Sequence, residues 1–76
     1  MIRDTRMDET LSWEDSYAIA RALMHAHPKV DLTGVSLGMI YHWTLALPEF
    51  DDDPELANDS ILAFIYQEWF EEVNPV

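Results

Sequence analysis

The run Glu49-Phe50-Asp51-Asp52-Asp53-Pro54-Glu55 is where residue type and spacing in this chain most directly suggest chemistry. Three adjacent aspartates repel one another, so folding alone gives little reason to place them side by side. Facing outward, Asp51, Asp52, Asp53 and Glu55 offer hard oxygen ligands to a cation. Together with Glu49, they also present a negative patch to a positive partner. The alternative is a solvated loop whose last aspartate caps a turn ahead of Pro54. An EF-hand is excluded, because the alternating acids and central glycine of that loop are missing. A second acidic group, Glu68, Glu71 and Glu72, lies near the end of the chain. Carboxylates at a helix C-terminus oppose the helix dipole at a cost of about 0.3–1 kcal/mol each, which favours an outward use for them too.

Catalytic chemistry finds little support. There is no cysteine, and no nucleophile, base and orienting acid can be assembled from the serines and histidines. His25, His27 and His42 share no single helical face that would suggest a metal site. Hydrolysis by paired carboxylates needs a cleft that so small a domain can hardly build. The reading is a protein that is not an enzyme.

The elements that must position these acids belong to one domain of 76 residues, small enough to be marginal but able to fold alone. Fifteen acidic against four basic side chains give a formal charge of −11. Nucleic-acid binding rests on cationic side chains, and anionic membranes repel a negative protein, so both partners are disfavoured. Basic proteins and metal cations remain. Met1 to Leu11 does not read as a signal peptide, and no apolar run approaches the roughly 20 residues needed to span a bilayer. The expectation is a cytoplasmic monomer.

Residues 1–10 read as a flexible N-terminal extension, followed by a single domain over 11–76. Helix one is expected to start at Ser12, an N-cap with Asp15 completing a variant of the capping box. Trp13, Tyr17, Ile19, Ala20, Leu23 and Met24 share its inner arc, with Glu14, Arg21 and His25 opposite. His27-Pro28 stops it. Lys29 to Gly34 is a turn segment and Val35 to Leu37 a short extended piece. Helix two spans about Gly38 to Leu47, capped by Ser36 or Gly38, with Ile40, Trp43 and Leu47 inward. Helix three spans about Asp59 to Val73, capped by Asn58, with Leu62, Ile65, Trp69 and Val73 as its core stripe. All three tryptophans are assigned to the core. Leu37, Tyr41 and Leu45 form a second apolar stripe on helix two, covered by neighbouring chain or presented to a partner.

The ordered pattern Trp13-x-Asp15-Ser16, Pro28-x-x-Asp31, Trp43, Leu47-x-x-Phe50-x-Asp52-Asp53-Pro54, Asn58, Ile61-Leu62 and Trp69-x-x-Glu72 resembles the IscX (YfhJ) proteins of bacterial iron–sulfur cluster assembly. Each motif is short, and the specificity lies in their order and spacing over Leu11 to Glu72. The resemblance implies an all-α, three-helix domain with a modified winged-helix topology. It also implies an acidic accessory protein that binds the cysteine desulfurase IscS, competes there with frataxin and ferredoxin, and weakly binds iron, ferrous first and ferric as the alternative state. The outer face of helix one, often acidic in that family, here carries Ala18, Arg21 and His25. The iron site is therefore expected at Asp51, Asp52, Asp53, Glu55, Glu71 and Glu72. The protein-binding face is expected at Glu49, Asp52, Asp53, Glu68, Glu71 and Glu72.

Two other functions remain open at this level. A winged-helix nucleic-acid binder would need a cationic recognition helix, and helices two and three contain no Lys or Arg. A free-standing iron buffer differs from the adaptor only in needing no protein partner.

Overall fold

The structure, a computed structural model, describes residues 10–74. Three α-helices are present among them: α1 over Ser16–Ala26, α2 over Leu37–Leu45 and α3 over Asp59–Val73. Short 3-10 turns at Leu32–Gly34 and Pro54–Leu56 lead into α2 and α3. The expected all-α domain is what forms. The winged-helix detail has no β-hairpin to match it among the described residues, where the one sheet-like pairing is an isolated parallel bridge between Leu11 and Phe50. The extension expected over 1–10 lies outside the described residues except for Thr10.

Local chemistry sets most helix ends. The Ser36 hydroxyl accepts from the Met39 amide at 3.1 Å, and Asn58 Oδ1 accepts from the Ile61 amide at 2.9 Å. Each satisfies an amide that the first turn of a helix leaves without a partner. Pro54 occupies the first position of its 3-10 turn, with Asp53 accepting from the Glu55 amide at 3.0 Å. At His27, before Pro28, the backbone leaves the helical region and α1 ends.

Helix α1 begins three residues later than the capping pattern predicts, with Asp15 and not Ser12 at the N-cap position. Asp15 Oδ2 accepts from both the amide and the hydroxyl of Ser12, at 2.9 and 3.2 Å, and the Asp15 amide donates to the Ser12 carbonyl at 2.9 Å. Ser12 to Asp15 is therefore a closed turn, and its carboxylate gives no side-chain cap to α1.

Helices α1 and α3 pack most extensively on each other, with α2 laid against α3. Ile19, Ala20 and Leu23 of α1, Ile40 of α2, and Leu62, Ile65 and Trp69 of α3 form the core, joined by Trp13, Leu32 and Leu47. Trp43 is half-buried, stacked on His27 at 4.0 Å and tilted against Trp69 at 6.3 Å.

Two stripe positions depart from expectation. Tyr17 and Val73 are exposed: the turn at 12–15 takes Trp13 off the helical arc that Tyr17 was expected to share, and Val73 is the last residue of α3. Thr44, not anticipated in the core, is fully buried. Leu37, Tyr41 and Leu45 pack partly buried against the core, with Tyr41 stacked parallel to Trp13 at 6.1 Å. Neighbouring chain thus covers that stripe in part.

Candidate functional site

The acidic linker is bolted to the start of the chain. The Leu11 amide donates to the Glu49 carbonyl at 2.8 Å and the Asp51 amide to the Leu11 carbonyl at 2.9 Å. The Phe50 ring meets Trp13 edge-on at 4.6 Å, and the Trp13 indole Nε1–H donates to the Asp53 carbonyl at 2.8 Å. These contacts fix the linker backbone, so the directions of its acids are set.

Those directions are not all outward. Asp52 is half-buried, with Oδ2 accepting from the Trp13 amide at 3.0 Å and Oδ1 from the Asp53 amide at 2.7 Å. The expectation that folding alone gives little reason for adjacent aspartates is corrected here. Asp52 joins two distant segments, and Asp53 caps a turn, as the alternative reading of the loop proposed. Asp51, Glu49 and Glu55 are exposed, and their carboxylates accept nothing among the described residues. The run thus divides into acids that hold the loop and acids that face solvent.

The acids of α3 divide in a similar way. Glu72 is half-buried and lies 3.6 Å from the Arg21 guanidinium, with the Tyr17 hydroxyl donating to it at 3.5 Å. Arg21 in turn donates to the Tyr17 hydroxyl oxygen at 3.2 Å, its guanidinium carbon 5.9 Å from that ring's centroid. The hydrogen bond to Tyr17 comes first, followed by the charges of Tyr17 and Glu72, in pushing the Arg21 pKa above its ordinary value. Glu71 is exposed and accepts from Gln67 at 3.3 Å.

Glu68 turns elsewhere. It lines a shallow depression with Glu14, Asp15 and Phe64. Glu14 and Asp15 have an ordinary explanation at the start of a helix, and sequence spacing gives no sign that they face Glu68 across the α1–α3 seam. The single available signal was Phe64, an apolar residue outside the core stripe of α3.

No three carboxylate or imidazole groups gather closely enough to hold a metal ion among the described residues. Asp51, Asp52, Asp53 and Glu55 are neighbours along the chain, but the backbone already occupies both oxygens of Asp52 and one of Asp53. The linker acids and those ending α3 do not combine into one ligand set. As it stands, the arrangement does not fit an enclosed iron site. What it offers is a set of separate, exposed carboxylates on a strongly negative surface.

No helix among the described residues is long and apolar enough to cross a membrane. Comparison with known proteins agrees with the sequence pattern. An uncharacterized protein of Pseudomonas aeruginosa is 36% identical over 63 residues, which is 83% of this chain and 96% of the relative. The family model described as iron-sulphur cluster assembly matches residues 11–74, spanning all three helices and the acidic linker. With the motif order, the three-helix fold and that match in agreement, the chain belongs to the IscX (YfhJ) family of iron–sulphur cluster assembly proteins.

Proposed function

We propose that this chain is a non-enzymatic, acidic accessory protein of bacterial iron–sulfur cluster assembly, acting in the cytoplasm. It docks on a basic surface of the cysteine desulfurase IscS, in competition with frataxin and ferredoxin, and weakly bound ferrous iron modulates the contact. The observation that carries this reading is charge on a fixed frame. Residues 10–74 hold twelve of the fifteen acids, leaving out Asp4, Asp8 and Glu9, but two of the four bases, leaving out Arg3 and Arg6. Of those two bases, Arg21 is paired with Glu72.

A field of that sign speeds encounter with a basic partner and makes binding sensitive to salt. Iron on such a surface is cargo or modulator. Dispersed, exposed carboxylates bind it weakly, with affinity of roughly 10⁻⁵–10⁻³ M by analogy with weak calcium modules.

The test is calorimetry of the chain with IscS, with and without ferrous iron, followed by kinetics at two salt concentrations. Asp51→Lys and Glu71→Lys should slow association and leave helicity intact, because both side chains are exposed. Asp51→Asn combined with Glu55→Gln should weaken the iron titration while sparing Asp52. Binding insensitive to salt and to both lysine substitutions would remove the acidic-face reading. An unchanged iron titration would move the metal to Glu68, Glu71 and Glu72.

A further inference from the structure

Among the described residues Phe64 lies outside the buried core: it is 52% exposed, although its neighbours Leu62 and Ile65 are buried there. Its ring forms the wall between two depressions where the start of α1 crosses α3. One, of about 520 Å³, is lined by Trp13, Glu14, Ser16, Ile61 and Phe64. On the other side of the ring lie Tyr17, itself 50% exposed, with Asp15 and Glu68. Among the described residues, every charged side chain lining the two depressions is acidic.

We propose that this seam is the docking site for a segment of the desulfurase that carries an apolar side chain flanked by Lys or Arg. The apolar side chain lies against Phe64, and the cations meet Glu14, Asp15 and Glu68. The inference rests on the adaptor reading above and adds to the contact made by the exposed acids an apolar anchor at the α1–α3 seam. An aromatic anchor inside a charged rim is the arrangement in which one residue carries much of the binding energy. The molecule already holds one guanidinium in this manner, since Arg21 lies 5.9 Å from the Tyr17 ring and 3.6 Å from Glu72. A second copy of this chain is a poor occupant, because a two-fold contact would set Glu14, Asp15 and Glu68 against themselves.

The other exposed aromatic of α3, Phe70, supplies the control. It is 42% exposed, and the one acid lining its cavity among the described residues, Asp31, is engaged by Thr33. Binding of IscS to the full chain is measured for Phe64→Ala, Phe70→Ala and Glu68→Lys, with thermal midpoints recorded for each. The expected result is a Kd raised at least tenfold by Phe64→Ala through faster dissociation, with no change for Phe70→Ala. Glu68→Lys should slow association, and this variant keeps the test sound if Phe64→Ala lowers the midpoint.

Wild-type affinity in both seam variants, with Asp51→Lys and Glu71→Lys still impaired, overturns the seam and leaves the adaptor reading standing. Failure of the wild-type chain to bind IscS at all removes both. Concentration-dependent dimers that Phe64→Ala dissolves, or nuclear Overhauser contacts from the Phe64 ring to residues 1–9 in the uncomplexed chain, would identify a different occupant and overturn the proposal.

Discussion

Asp52 and Trp13, 39 residues apart, are joined by a 3.0 Å hydrogen bond from the Trp13 amide to the Asp52 carboxylate. One residue on, the Asp53 carbonyl accepts from the Trp13 indole at 2.8 Å. The acidic run and the turn before α1 are therefore one structural unit.

Replacing Asp52 by Ala should destabilise the domain by about 2–3 kcal/mol, because two amides lose a charged acceptor and one of them is partly buried. Asp51→Ala, at an exposed site, should change stability by less than about 0.5 kcal/mol. Urea denaturation followed by circular dichroism compares the two. Equal effects would show that the Asp52 contact contributes nothing.

Trp69, 1% exposed between Ile65 and the tilted ring of Trp43, should cost about 3–5 kcal/mol on replacement by Ala. The whole domain has about 4–11 kcal/mol available at its length. The variant should be largely unfolded near 40 °C. A thermal midpoint matching wild type would remove the three-helix core described above.

Thr44 is fully buried, and its hydroxyl has no hydrogen-bond partner among the described residues. Thr44→Val keeps the branched shape and deletes the unsatisfied group, so stability should rise by about 1 kcal/mol. The denaturation midpoint should increase with an unchanged slope. A lower midpoint would mean that the hydroxyl is satisfied in solution.

The Thr33 hydroxyl donates to Asp31 at 2.7 Å and the Thr33 amide at 3.1 Å. These two bonds, the hydroxyl first, hold the Asp31 carboxyl below its ordinary pKa. A depressed folded pKa contributes stability that is present above the unfolded value of about 3.9 and is lost as pH falls through the folded value. Thr33→Val should bring the Asp31 titration back up towards the ordinary value, read from its side-chain carboxyl shift by NMR. No movement would assign the depression to the amide alone.

Local sequence determined the helical frame. Ser36 and Asn58 mark starts because a side-chain oxygen one or two bonds from Cβ reaches the amide three residues on. Pro28 and Pro54 mark a stop and a turn because the ring fixes φ and removes a donor. Ile19, Leu23, Ile40, Leu62, Ile65 and Trp69 were legible as core from helical spacing. Composition fixed the sign of the surface, and motif order pointed to the family.

Packing between elements decided the rest. Ser12 looked like a cap, but its turn closes on Asp15 while Asp52, far away in sequence, takes the Trp13 amide. That turn carries Trp13 away from the arc of α1, leaves Tyr17 exposed and gives Tyr41 a ring to cover. Asp52 belongs with the framework and Glu68 with Glu14 and Asp15, and neither assignment follows from neighbours in the chain. Periodicity shows which face of a helix is apolar. How far along that face the next helix extends depends on where the helices cross, and that crossing leaves Val73 and Phe64 in solvent and buries Thr44.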